Sequence, residues 1–173
     1  MKLRGPLAII LVFWVIFLIS IIFPINSFGI VPRRLNALVG ILCAPFLHQN
    51  WSHLLANSLS FLIFGQVMLL QTGKKFYILL LEMALLTGLA TWCFGRTAMH
   101  IGASGVVFAM FGYILSRGIF SKKFQDILIS LVIGIFYGAT LFGVLPQGGG
   151  ISWESHLFGF IVGVILAKKI SLG

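Results

Sequence analysis

Charged side chains are scarce in this sequence, and their scarcity excludes a soluble globular protein. Only 9% of the 173 residues are charged and 60% are hydrophobic, whereas about 25% of an average soluble domain is charged. Apolar runs follow one another with only short polar breaks, which leaves no room for a separate soluble domain. We therefore predict a single membrane domain that covers residues 1–173.

Potential metal ligands and disulfide partners are also few. The two cysteines, Cys43 and Cys93, lack the spacing of a metal or redox motif and are predicted to be buried small residues. The four histidines form neither a His-x-x-x-His pair nor an HExxH motif, and only three residues are acidic. We expect no metal and no cofactor.

Six apolar segments predict membrane-spanning helices. Crossing a hydrocarbon core of about 30 Å takes about 20 residues, or fewer where a helix end is recessed within protein. The segments are residues 7–23, 52–70, 76–94, 104–116, 127–144 and 153–167. No Ala-x-Ala cleavage site follows the first one, so we interpret it as a retained span rather than a signal peptide. The predicted fold is all-α, a polytopic bundle of six transmembrane helices.

The net charge of +9 indicates membrane topology rather than nucleic-acid binding, because the 12 Lys and Arg residues lie between apolar runs. A cytoplasmic N-terminus places nine of these residues inside and leaves Arg33, Arg34 and Arg96 outside, as the positive-inside rule requires. We expect both termini in the cytoplasm. The short termini and the small number of spans favour a bacterial inner membrane.

Ser104 and His156 are predicted to lie at one depth on the outer side. Ser104 is 13 residues before Arg117 and His156 is 12 before Lys168. At about 1.5 Å per residue, both lie roughly 18–20 Å above the inner boundary. The short fourth span also implies that residues 96–103 enter the membrane, which is possible beside protein or a water-filled cavity. We therefore predict a polar cavity that opens to the outer side.

Ser104 belongs to the motif Gly102-Ala103-Ser104-Gly105 at the predicted start of a helix. A serine in this position can simply cap the helix. It can also be a nucleophile, because backbone N–H groups and the helix dipole stabilise an oxyanion and glycines leave room for a substrate. The motif alone leaves both alternatives open.

His156 lies one turn into the last predicted span. Such a histidine can be an interhelical hydrogen-bond partner, although ionisable residues inside membranes are commonly functional. Small residues on spans 4 and 6 predict close packing that turns the imidazole toward span 4. They are Gly105, Ala109, Gly112, Gly159 and Gly163. A neutral imidazole here could act as a general base.

No acidic residue is well placed to complete a triad. Asp126 is predicted to be cytoplasmic, Glu82 lies near mid-span, and Glu154 is two residues from His156 and so points elsewhere. We predict a Ser/His dyad, with Glu82 bonded to a neighbouring helix.

His53 and Asn57 open the second span and share one helix face, because they are four residues apart. They could bond a neighbouring helix or donate hydrogen bonds to an oxyanion.

Together these residues resemble the rhomboid family of intramembrane serine proteases. The resemblance covers spans 2 to 6 through His53-x-x-x-Asn57, Gly102-x-Ser104-Gly105-x-x-x-Ala109-x-x-Gly112 and His156-x-x-Gly159-x-x-x-Gly163. It implies a six-helix protease without metal or nucleotide that cleaves transmembrane segments of other proteins near the outer membrane face. It further implies that Ser104 is the nucleophile, that His156 is the base, and that the Ser104 N–H, His53 and Asn57 form the oxyanion hole.

Two positions depart from the family pattern. Phe108 stands where many bacterial members have a tyrosine that stacks under the histidine, and we expect the stacking to persist without the hydroxyl. The first loop has Pro32-Arg33-Arg34 but lacks the Trp-Arg pair of many relatives.

Two functions of other classes stay open. A catalytically silent rhomboid-like protein would bind a client helix in the cavity, and a transporter would pass a small solute. Transport predicts inverted repeats, which this sequence does not show.

Overall fold

The computed structural model describes residues 4–146, 148 and 150–172, with the side chains of Arg4 and Leu172 outside the description. The described chain is helical, and its only bridge between extended residues joins Ile30 to His100. Seven α-helices are present in this part of the chain, one of them a single turn. They are α1 (Arg4–Ile22), α2 (Gly40–Cys43), α3 (Trp51–Thr72), α4 (Phe76–Phe94), α5 (Ser104–Ser121), α6 (Phe124–Tyr137) and α7 (Trp153–Leu172).

The six long helices correspond to the six predicted segments, with shifted ends. Helix α5 continues to Ser121, past the predicted end at residue 116. Helix α6 stops at Tyr137, and residues up to Val144 form a 3-10 helix, Gly138–Val144. The predicted fifth span is therefore two elements with different hydrogen bonding.

Four stretches of the described chain are long and apolar enough to cross a membrane. They are Gly5–Ile22, Trp51–Phe94, Ser104–Ser121 and Phe124–Val144, and the second of them contains both α3 and α4. Helix α7 is not among them, and it carries Glu154, Lys168 and Lys169. The fold is thus an all-helical membrane bundle, and the count of six crossings stays a prediction.

Helix α5 forms the centre of the bundle. Twelve of its 18 residues are buried, on every face of the helix, which is the pattern of a helix surrounded by protein. Helices α3, α4, α6 and α7 all pack against it. Large apolar side chains on the outer helices are exposed instead, among them Ile22, Ile135 and Phe136, as expected for surfaces that face lipid.

Small residues allow α5 and α7 to approach backbone to backbone. A Cβ atom added to Gly159 would overlap the carbonyl oxygen of Gly105, and one added to Gly163 would overlap that of Ala109. Gly112 meets the carbonyl of Phe160 in the same way from the other side. This contact fixes the register of α5 against α7, and thereby the relative position of the residues near the N-terminal ends of the two helices.

The first loop covers the loop that precedes α5. Ile30 and His100 exchange backbone hydrogen bonds of 3.0 and 2.8 Å, and the Gly102 N–H donates to the Ala44 carbonyl at 2.8 Å. The predicted loop 96–103 therefore has protein partners for its backbone, as a loop at membrane depth requires. The Arg33 guanidinium donates to the Gly95 carbonyl at 2.7 Å, so this arginine fastens the first loop to the end of α4.

Two of the three ion pairs among the described residues lie at the opposite end of the bundle. Asp126 at the start of α6 accepts from Arg117 at 3.1 Å and from Gln71 at 3.0 Å. Glu82 lies 3.5 Å from Lys169, on the neighbouring helix α7. The predicted helix-to-helix contact of Glu82 is present.

Candidate active site

Ser104 and His156 lie in hydrogen-bond contact, with Ser104 Oγ 2.8 Å from His156 Nε2. The two residues are 52 positions apart in sequence, and the close packing of α5 on α7 brings them together. Ser104 is the first residue of α5, whereas Ala103 occupies the capping position. Its hydroxyl thus faces the histidine and does not cap the helix.

The hydrogen bond of the second ring nitrogen of His156 determines the tautomer of the ring. Nδ1 lies 2.9 Å from the carbonyl oxygen of Gly143. A carbonyl oxygen can only accept, so Nδ1 carries the proton of the neutral ring, and Nε2 is left with a lone pair. Nε2 therefore accepts the hydrogen bond from the Ser104 hydroxyl, which is the arrangement of a nucleophile beside a general base.

Phe108 fixes the plane of the imidazole ring. The two rings are stacked with centroids 4.3 Å apart and planes 7° apart. Gly143 packs against the Phe108 ring, since a Cβ added there would come within 2.5 Å of Phe108 Cζ. The stacking expected at this position is present without a tyrosine hydroxyl.

His53 and Asn57 meet Gly102, just before the serine. Gly102 has a φ of +113°, which few residues other than glycine adopt. A Cβ at Gly102 would come within 2.5 Å of His53 Nε2 and 3.3 Å of Asn57 Nδ2. Asn57 Nδ2 is buried and has no hydrogen-bond partner among the described residues. An unused amide donor therefore lies beside the N-terminus of α5.

The described residues place no carboxylate in hydrogen-bond contact with His156. Glu154 lies 3.4 Å from the Arg96 guanidinium, and Asp126 pairs with Arg117 at the other end of the bundle. The described residues also hold no group of three or more His, Cys, Asp or Glu that could bind a metal ion.

A polar latch holds the start of α7 against the loop before α5. His100 Nδ1 contacts the Ser152 hydroxyl, and His100 Nε2 lies 3.1 Å from the Arg96 carbonyl oxygen. Arg96 also donates to the Ile151 carbonyl and pairs with Glu154. In the neutral ring, Nε2 donates to the Arg96 carbonyl oxygen and Nδ1 accepts from the Ser152 hydroxyl.

Sequence reasoning missed Gly143 and the latch. The group at Gly143 is a backbone carbonyl, which every residue type carries, so no motif identifies it. The one available signal was a glycine between bulky neighbours, Phe142 and Val144, in an apolar segment. The latch joins residues 52 to 58 positions apart, and only the fold brings them together.

One family model and several known proteins match this chain in sequence. The sequence model of the Rhomboid domain matches residues 35–172. An uncharacterized protein of Mycobacterium tuberculosis is 39% identical over 152 residues, which cover 83% of this chain and 63% of that protein. A rhomboid protease of Pectobacterium atrosepticum is 33% identical over 128 residues, covering 70% of this chain and 44% of the protease. A chloroplastic rhomboid-like protein of Arabidopsis thaliana is 28% identical over 144 residues, which cover 74% of this chain and 51% of that protein.

The extent of these matches decides the family. The chain spans 63% of the length of the mycobacterial relative, whereas the domain match covers most of the chain and includes α3 to α7. This chain therefore belongs to the rhomboid family.

Proposed function

We propose that this protein is an intramembrane serine endopeptidase that cleaves transmembrane segments of other membrane proteins near the outer membrane face. The observation that carries the proposal is the 2.8 Å contact between Ser104 Oγ and His156 Nε2, with the Nδ1 proton held by the Gly143 carbonyl. The substrates are transmembrane proteins in the same bilayer, and the chemistry uses no metal and no nucleotide.

The reaction follows from the positions of these protons. Ser104 Oγ attacks the scissile carbonyl carbon while its proton passes to His156 Nε2, so that a C–O bond forms and the carbonyl oxygen becomes an oxyanion. His156 then protonates the leaving nitrogen as the C–N bond breaks. Water attacks the resulting ester, gives a proton to Nε2, and Ser104 regains its proton as the acid product leaves.

Three donors are available for the oxyanion. The Ser104 backbone N–H lies in the first turn of α5, where no intrahelical acceptor exists and the helix dipole favours negative charge. Asn57 Nδ2 and His53 Nε2 both face Gly102. A buried donor without a partner costs about 1–3 kcal/mol, and an oxyanion next to Asn57 would remove that penalty in the transition state.

We further propose that the site faces the outer side of a bacterial inner membrane, with both termini in the cytoplasm. Exposed lysines support this orientation, because they lie at the ends of α3, α5 and α7 opposite Ser104 and His156. They are Lys74, Lys75, Lys122, Lys123, Lys168 and Lys169. Such a cluster favours the cytoplasmic side.

A serine-reactive fluorophosphonate tests the proposal. We expect it to label the native protein in lipid or mild detergent and to leave Ser104→Ala unlabelled. Ser116→Ala is the matched control, because Ser116 is also on α5 but donates to the Gly112 carbonyl at 2.6 Å. Absence of labelling in folded protein would contradict the proposal and favour client binding or transport.

A further inference from the structure

Gly143 contacts both members of the stacked pair next to Ser104. Its carbonyl oxygen lies 2.9 Å from His156 Nδ1, and its Cα packs on the Phe108 ring. We propose that the Gly143 carbonyl is a positioning group, which holds His156 in the tautomer whose Nε2 can accept the Ser104 proton. The proposal rests on the proposed function, since the tautomer matters only for a histidine that acts as a base.

The chemistry of the contact supports this role. A neutral imidazole has one N–H, and the nitrogen that carries it is set by the hydrogen bond that the other nitrogen makes. The described residues place no carboxylate against Nδ1, so the carbonyl occupies the position that an aspartate has in a Ser-His-Asp triad. It orients the ring and selects the proton position without adding a full charge.

The hydrogen bond between His156 Nδ1 and the Gly143 carbonyl depends on the position of the segment that contains Gly143. It belongs to the 3-10 helix Gly138–Val144, whose seven residues exceed the usual run of three or four for this type of helix. None of the seven is buried, and Gly150, in the loop that follows, has a φ of +81°. The tautomer of His156 therefore depends on whether this lightly packed segment is in place.

Two glycines of the same segment allow a matched comparison. A Cβ on Gly143 would press on Phe108 Cζ, whereas a Cβ on Gly138 would meet nothing within 4 Å. Gly138 has helical φ and ψ, and Gly143 is not among the positive-φ glycines. Both positions therefore accept alanine without backbone strain, and the two variants differ in the contact alone.

The first test compares Gly143→Ala with Gly138→Ala in the full purified chain. The ¹⁵N chemical shifts of His156 report which nitrogen is protonated, and fluorophosphonate labelling reports the reactivity of Ser104. We expect Gly143→Ala to lose the Nδ1–H signature and to be labelled at least about 10-fold more slowly, since a wrong tautomer impairs a serine nucleophile severely. Cleavage assays should show a lower kcat with little change in KM. Gly138→Ala should match the native protein in each measurement.

A backbone substitution separates the carbonyl from the Phe108 contact. Replacing Val144 by 2-hydroxyisovaleric acid turns the Gly143 carbonyl into an ester carbonyl, a weaker acceptor, without adding an atom next to Phe108. The same replacement at Leu141, with 2-hydroxyisocaproic acid, controls for the loss of an N–H in this segment. We expect only the change at position 144 to shift the His156 tautomer and to slow labelling.

An unchanged tautomer and unchanged labelling in the position-144 ester would overturn the role of Gly143. If the native protein resists the fluorophosphonate, the proposed function fails. The ¹⁵N shifts still decide whether Gly143 sets the tautomer in that case, so the two failures are distinguishable.

Discussion

At the scale of single residues, the hydrogen bond between Ser104 and His156 makes the two side chains one chemical unit. Neither the hydroxyl nor the imidazole accelerates acyl transfer much by itself, because the attack and the proton transfer occur together. We predict that Ser104→Ala and His156→Ala each abolish cleavage in folded protein and that the double variant is no slower. Cleavage rates for all three variants, with circular dichroism as the folding control, test this. If the double variant lost the sum of the activation free energies lost by the two single variants, the dyad would be contradicted.

Asn57 offers a second test at this scale. If Asn57 Nδ2 donates to the oxyanion, Asn57→Ala should lower kcat by about 10²–10³ with little change in KM. Thermal stability should hardly fall, because this donor has no hydrogen-bond partner to lose among the described residues. A destabilised variant with native kcat would instead assign Asn57 to helix packing.

The residues that could be predicted from sequence are those whose side-chain type determines their chemistry. Ser104, His156, His53 and Asn57 stand out because polar and reactive groups are rare in an apolar chain. Phe108 could be predicted from its place one turn after the serine. Gly143 could not be, because it acts through a backbone carbonyl. Its position depends on where α6 ends and the 3-10 helix begins.

At the scale of helices and loops, the contact between α5 and α7 sets the distance from Ser104 to His156. Gly163 lies in this contact, and a methyl group there would overlap the Ala109 carbonyl. Because backbone must move to accommodate it, we predict that Gly163→Ala costs about 1–3 kcal/mol and slows fluorophosphonate labelling. Gly134→Ala is the control, since its Cβ would make an ordinary 3.7 Å contact with Leu115. If Gly163→Ala had the melting temperature and the labelling rate of the native protein, the packing of α5 on α7 would be looser than this account requires.

The first loop supplies a pH-dependent element. His48 is buried against Phe13, its Nε2 has no partner among the described residues, and burial with the nearby His53 lowers the pKa of His48 from 6.5 to about 4. The folded loop binds the proton more weakly than the unfolded chain does. The contribution of His48 to stability is therefore complete above about pH 6.5 and falls as the pH drops toward 4, by up to about 3 kcal/mol.

We expect His48→Phe to flatten this part of the stability profile, because it removes the titrating group and keeps a ring beside Phe13. Melting temperatures measured between pH 7 and pH 4 test the prediction. Equal acid sensitivity of the variant and the native protein would assign the effect to other groups.

The order and approximate extent of the helices could be predicted from the sequence, whereas the loops could not. Apolar length and glycine breaks located all six long helices, because lipid contact imposes apolar composition on every exposed face. The packing of the first loop depends on Arg33 meeting the Gly95 carbonyl, 62 residues away. Such contacts between distant loops leave no periodic pattern in the sequence.

At the scale of the whole molecule, Ser104 begins the buried central helix α5, and the proposed function requires the loops around it to admit a substrate. A transmembrane helix entering this site must release its scissile carbonyl from helical hydrogen bonds before Ser104 can attack it. Substrates with Gly or Pro near the outer end of their span should therefore be cleaved faster than variants with leucine at those positions.

The most direct measurement is to co-reconstitute the purified protein with single-span substrates in lipid vesicles and to map the cut by mass spectrometry. The proposed function predicts one cut near the outer end of the substrate span, a slower cut after leucine replaces the helix-weakening residues, and none with Ser104→Ala. No cut with the native protein, or the same cut with Ser104→Ala, would contradict the assignment of this chain as an intramembrane serine protease.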